Sequence, residues 1–190
     1  MLILNNLLAG FSCVALRTPY ELIGDGLMSR RCTGVNDPLM VQSLVLEDTR
    51  NRVAIITLDL LAIDFEEADE IRRRVASLGF RPENVLIAAS HTHSGPPAID
   101  FGFVKKSKEL ATEVKDKAEQ VVGESVQSLS RASARAGFTE YPYNVNRRQP
   151  TWYRRTKLGV NLEGPVDHQL NYILLETTCG RILLLCYGCH

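Results

Sequence analysis

A chain of 190 residues is long enough for one domain with a substantial core and too short for two of ordinary size. Its 22 basic and 22 acidic side chains cancel, and no dense basic stripe with interleaved aromatics occurs, which argues against a nucleic-acid partner. No apolar run approaches a membrane span, and five scattered cysteines, an odd number, read as reduced thiols in a cytoplasmic setting rather than as a disulfide framework.

The apolar start, from Met1 to Leu16, lacks the basic n-region of a signal peptide and carries Asn5-Asn6, so it reads as a first strand over residues 10–16. Residues 21–38 form an expected irregular loop with two turn clusters, Gly24-Asp25-Gly26 and Gly34-Val35-Asn36-Asp37-Pro38. Loops of that length inside a compact domain tend to line sites. Residues 39–46 and 53–63 are β-branched and apolar, and the polar stretch between them predicts a hairpin. Asp59 falls inside the second arm, where it either serves a site or marks the strand's polar end.

Asp64 with Glu67 predicts a capping box, and Phe65, Ala68, Ile71, Val75 and Leu78 follow at helical spacing until Gly79. A strand over residues 85–89 then runs into Ser90-His91-Thr92-His93-Ser94-Gly95-Pro96-Pro97. Strand, helix, strand argues for a crossover between parallel neighbours, with ligand sites beyond the strands' carboxyl ends. His91 and His93, half of the chain's four histidines, are spaced to project to one side of an extended backbone. They read as half of a metal site or, more plainly, as a polar strand end.

A helix over residues 107–129 and a strand over 133–141 come next, then the polar loop Tyr143-Asn144-Val145-Asn146-Arg147-Arg148-Gln149-Pro150. Arg147 and Arg148, with Arg154 and Arg155, form a basic cluster suited to an anionic or polar ligand. A hairpin over residues 170–177 and 181–187 closes the chain. Its second arm contains Ile182-Leu183-Leu184-Leu185, wholly apolar and so expected at the centre of a sheet, and delivers His190. The fold class expected is α/β, a mixed and partly parallel sheet with flanking helices, in a single domain over residues 1–190.

Two apolar strands thus each end in histidine, His91 and His190. Zinc is the natural occupant where such imidazoles converge, although no His-Glu-x-x-His helix and no His-x-His-x-Asp-His string is present. A rival motif is Cys186-Tyr187-Gly188-Cys189-His190, which matches the Cys-x-x-Cys-His signature of covalent haem attachment. Against haem, the segment continues an apolar strand and neither a Met nor a second His follows it. Cys186 and Cys189 are instead expected as buried structural thiols.

The chain resembles the amino-terminal part of the neutral/alkaline non-lysosomal ceramidase family, zinc-dependent amide hydrolases. Ser90-His91-Thr92-His93-Ser94-Gly95-Pro96 carries the resemblance. It is supported, in the family's order, by Gly34-Val35-Asn36-Asp37-Pro38-Leu39, Asn144-Val145-Asn146-Arg147-Arg148, Gly164-Pro165-Val166-Asp167 and the closing strand into Cys189-His190. The resemblance implies zinc on His91 and His190, His93 beside them against the substrate, and Arg147 as the active-site arginine. The Gly24-Asp25-Gly26 loop resembles the family's substrate loop. The implied substrate is a ceramide-like or related lipid amide, and the alternative is a non-catalytic domain of the same fold. The family's serine and its remaining ligands, a glutamate and a tyrosine, follow the second histidine. A fragment of a longer protein is therefore expected.

Overall fold

The computed structural model describes residues 6–17, 22–24, 29–100, 105–153 and 155–190. They fall into two compact units, one over Asn6–Arg131 and one that takes in Ala132–His190. The fold is mixed α/β, with parallel and antiparallel strands, as expected.

In the larger unit β1 (Leu8–Ala15) is followed by a short ribbon, β2 (Leu22–Gly24) against β3 (Ser29–Arg31), where an irregular loop was expected. Asp25 and Gly26 of the glycine loop lie outside the described residues, as does the apolar start before Asn6. β4 (Met40–Glu47) and β5 (Arg52–Leu58) form the expected hairpin, but β5 stops at Leu58, so Asp59 stands just beyond the strand. Alternation sets its inner face: Ala54, Ile56 and Leu58 are fully buried.

Helix α1 (Phe65–Val75) starts where Asp64 Oδ1 accepts from the Glu67 amide at 3.1 Å. Ala68, Ile71 and Val75 form its buried stripe, whereas Phe65, expected on that face, is 90% exposed. One 3-10 turn carries the chain to Gly79, whose φ of 87° suits glycine. β6 (Val85–Ala89) then pairs parallel with β5, completing the crossover, and the strand order in this unit is β1, β4, β5, β6. Helix α2 (Lys108–Gln127) is capped by Ser107 Oγ and packs Leu110, Val114, Ala118 and Val121 into the same core. Each buried leucine or valine among them contributes about 1.5–3 kcal/mol. Contact is closest at Gly10 of β1, where a Cβ would collide with the main-chain oxygen of Ser125.

β7 (Ser130–Glu140) begins in the larger unit, where Ser130 and Arg131 pair with Ala9 and Leu8. The polar loop expected near Arg147 is a second ribbon, β8 (Asn146–Pro150) against β9 (Thr156–Asn161). Arg154, assigned to the basic cluster, lies outside the described residues. From Ala132 onward β7 pairs antiparallel with β10 (Gln169–Thr177), which in turn pairs with β11 (Gly180–Cys186).

The apolar arm was expected at the centre of a sheet, yet among the described residues β11 pairs with β10 alone. Leu183 is 56% and Leu185 52% exposed, so the run of leucines reflects two apolar faces rather than two neighbouring strands. The same edge position exposes Cys186, and Cys189 beyond it is exposed too, which corrects the expectation of buried thiols. All five cysteines are free. Among the described residues no helix is long and apolar enough to cross a membrane.

Candidate functional site

In the larger unit, parallel pairing of β5 with β6 places their carboxyl ends side by side, with Leu58 opposite Ala89. The chain leaving β5 then holds the chain leaving β6. Ser90 donates to the Leu58 carbonyl at 2.9 Å and the His91 amide to that of Leu60 at 3.0 Å. His91 Nδ1 lies 2.8 Å from the Leu61 carbonyl oxygen. A carbonyl can only accept, so Nδ1 carries the proton and the lone pair of the neutral ring resides on Nε2. That is the tautomer, and the kind of outer hydrogen bond, that metal-binding histidines use, so the donor chemistry at His91 fits zinc.

His91 also has a φ of 64°, a left-handed conformation that costs a residue with a Cβ on the order of 1 kcal/mol. Three hydrogen bonds to residues 58–61 hold it there. His93 meets it edge to face, with ring centroids 4.9 Å apart, and both imidazoles are exposed. Behind them Gly95-Pro96-Pro97-Ala98 is buried, which anchors the turn.

A hollow of about 740 Å³ opens beside this turn, lined by Thr92, Ser94, Asp59 and the loop around Asn36 and Asp37. Asp59 Oδ2 accepts from the Met40 amide at 2.9 Å. The carboxylate therefore ties β4 to the end of β5 and lines the hollow as well.

In the smaller unit, Asn144 is the organising side chain, and it is 7% exposed. Its Nδ2 donates to the carbonyls of Asp167, at 2.7 Å, and Gly188, and its Oδ1 accepts from His168 Nδ1 at 2.8 Å. One amide thus joins the start of β8 to residues 167–168 and to the stretch after β11. Arg147, three residues on, donates from Nη1 to the main-chain oxygen of His190 at 3.0 Å. Arg147, His190 and Asp167 line a second hollow, of about 640 Å³.

The expected site residues are therefore found as two pairs, His91 with His93 in the larger unit and Arg147 with His190 in the smaller. Sequence reasoning missed Asn144 and His168 as organisers. Asn144 stood within the quoted Asn-x-Asn-Arg-Arg stretch, but its three partners are remote in sequence and left no local signal.

No protein-family model matches the chain. Among the solved structures that share its fold are two ceramidases. The neutral ceramidase from Pseudomonas aeruginosa superposes with a TM-score of 0.68 at 16% identity, over 92% of this chain and 30% of that one. A ceramidase complexed with C2 gives 0.71 at 16% identity, over 94% and 30%. The likeness at this identity is one of fold, and it falls on the proteins that the motifs resemble. The chain spans 30% of the length of either structure.

Proposed function

We propose that the chain is part of a zinc-dependent amide hydrolase acting on a ceramide-like or related lipid amide. The observation that carries this reading is the His91 ring, held by Leu61 in the tautomer that presents Nε2 to a metal. The ceramidase fold supports the reaction class, and the motif resemblance supplies His190 as a further ligand.

Zinc held by these histidines supplies a Lewis acid for the amide carbonyl or for the attacking water. The chain's own groups do the rest. Leu61 keeps the proton on Nδ1 and fixes the ring's direction. His93, edge-on to His91, offers a hydrogen-bonding imidazole to the substrate beside the metal. Arg147 uses one guanidinium N–H on the main chain of His190, and its planar fork has further donors for the oxygen of a polar head group.

The test is hydrolysis of an N-acylsphingosine and of a simple N-acyl amide by the full-length protein, before and after chelation. Activity that is lost to a chelator and restored by zinc is expected. Chelator-resistant hydrolysis contradicts the reading.

A further inference from the structure

The pairing of β4 with β5 ends in one irregular rung, beside the histidine turn. Extending the register of Val41 with Leu58 by one residue sets Met40 opposite Asp59. The Asp59 amide donates to the Met40 carbonyl at 2.9 Å, as a regular antiparallel rung requires. The return bond from the Met40 amide goes instead to the Asp59 carboxylate, to Oδ2 at 2.9 Å. The side chain thus satisfies a main-chain donor and releases the peptide after Asp59 from the ladder.

That peptide closes a tight turn, in which the Leu60 amide donates to the Leu58 carbonyl at 2.9 Å. The turn directs the next two carbonyls away from β4 and toward the end of β6. Leu60 accepts from the His91 amide at 3.0 Å, and Leu61 from His91 Nδ1 at 2.8 Å. The main-chain oxygen of Asp59 lies against Gly95, 3.7 Å from where a Cβ would stand. The histidine turn is therefore seated on residues 59–61. Two features of His91 need that seat: its φ of 64°, held against the ordinary preference for right-handed backbone, and the proton fixed on its Nδ1.

We infer that Asp59 is a positioning residue of the candidate metal site, acting on His91 through the carbonyls of Leu60 and Leu61. The inference rests on the reading of His91 as a metal ligand. It adds the residue that aims the ring. Asp59 acts through an acceptor oxygen on one N–H, so an amide oxygen in the same place does the same.

The experiment compares Asp59→Ala with Asp59→Asn in the full-length protein. Nitrogen NMR of the metal-free proteins reads the His91 tautomer. His168 of the smaller unit, whose Nδ1 is held by Asn144 Oδ1, is the internal control. Asp59→Ala leaves the Met40 amide without its acceptor, and His91 is expected to shift from Nδ1–H toward Nε2–H while His168 keeps its wild-type signals. Asp59→Asn, which keeps an acceptor oxygen, is expected to match wild type at both rings. Zinc affinity is expected to fall about tenfold in Asp59→Ala alone. A wild-type His91 tautomer in Asp59→Ala overturns the inference, as does a shift in Asp59→Asn as large as that in Asp59→Ala. Joint loss of the His91 and His168 signals, which marks general unfolding, overturns it too, and so does unchanged zinc affinity in Asp59→Ala where wild type binds the metal. The tautomer is read without metal, so a wild type that binds no zinc contradicts the hydrolase reading and leaves this inference to the NMR comparison.

Discussion

His91 donates from Nδ1 to the main-chain oxygen of Leu61 across 2.8 Å, so the chain just beyond β5 determines which nitrogen of a residue after β6 is available to a metal. In the metal-free protein, nitrogen NMR of the neutral ring is expected to show His91 as the Nδ1–H tautomer. A predominant Nε2–H form contradicts the assignment.

The clamp made by Asn144 gives a stability prediction. Asn144→Ala removes two donated hydrogen bonds and leaves the half-buried His168 Nδ1 without its acceptor. The loss expected is about 2 kcal/mol by denaturant titration, together with weaker binding in the hollow that Arg147 lines. A change within about 0.5 kcal/mol, the range of ordinary surface substitutions, contradicts the role given to Asn144.

Two glycines make a matched pair. At Gly10 a Cβ meets the backbone of α2 at Ser125, and neither strand nor helix can yield locally; at Gly34 nothing stands within 4 Å. Gly10→Ala is expected to destabilise by about 1–3 kcal/mol or more through overpacking. Gly34→Ala is expected to stay within about 0.5 kcal/mol. Equal effects in thermal or chemical denaturation contradict the packing of α2 on β1.

The entry to α1 is tied by charge to the residues around α2. Lys106 Nζ lies 2.8 Å from Asp64 and 3.1 Å from Glu67, and Lys115 reaches Glu67 at 2.5 Å. Burial pushes both carboxyls up. Hydrogen bonds and charge from the lysines outweigh it and hold both below their ordinary values, as the Glu67 amide also does for Asp64. Lys106 is pushed up by Asp64 first and Glu67 second. Depressed carboxyls contribute stability that is present above their unfolded pKa, about 4, and lost as pH falls through the folded values. A raised lysine contributes below its unfolded pKa, about 10.4, and loses that as pH rises through the folded value. The stability gap between wild type and Lys106→Met is therefore expected to be flat from roughly pH 5 to 10 and to narrow on either side. A gap that widens in acid contradicts the assignment.

The larger unit was readable where a local rule and the fold agree. Asp64 caps α1, Gly79 ends its last turn, and the order strand, helix, strand gave the parallel pair that exposes His91. Half of the capping box failed because the Glu67 side chain is taken by two lysines from sequence-distant positions. β8 was hidden because Asn146, Arg147, Arg148 and Gln149 show no apolar alternation. Its ribbon is held by main-chain pairing and by Asn161 Nδ2 donating to the Arg148 carbonyl at 3.1 Å. The leucines of β11 revealed that the strand is apolar on both faces and not that it lies at an edge, since periodicity reports faces and not neighbours. At the candidate site the histidines and Arg147 stood out by residue type. The tautomer of His91 and the clamp at Asn144 depend on carbonyls far along the chain.

The central claim, that His91 binds zinc while His93 works beside it, is tested most directly by the zinc content of the purified full-length protein. Wild type is expected to hold about one zinc per molecule and His93→Ala to keep it, while His91→Ala and His190→Ala lose most of theirs. A His91→Ala protein that retains the wild-type zinc content contradicts the account.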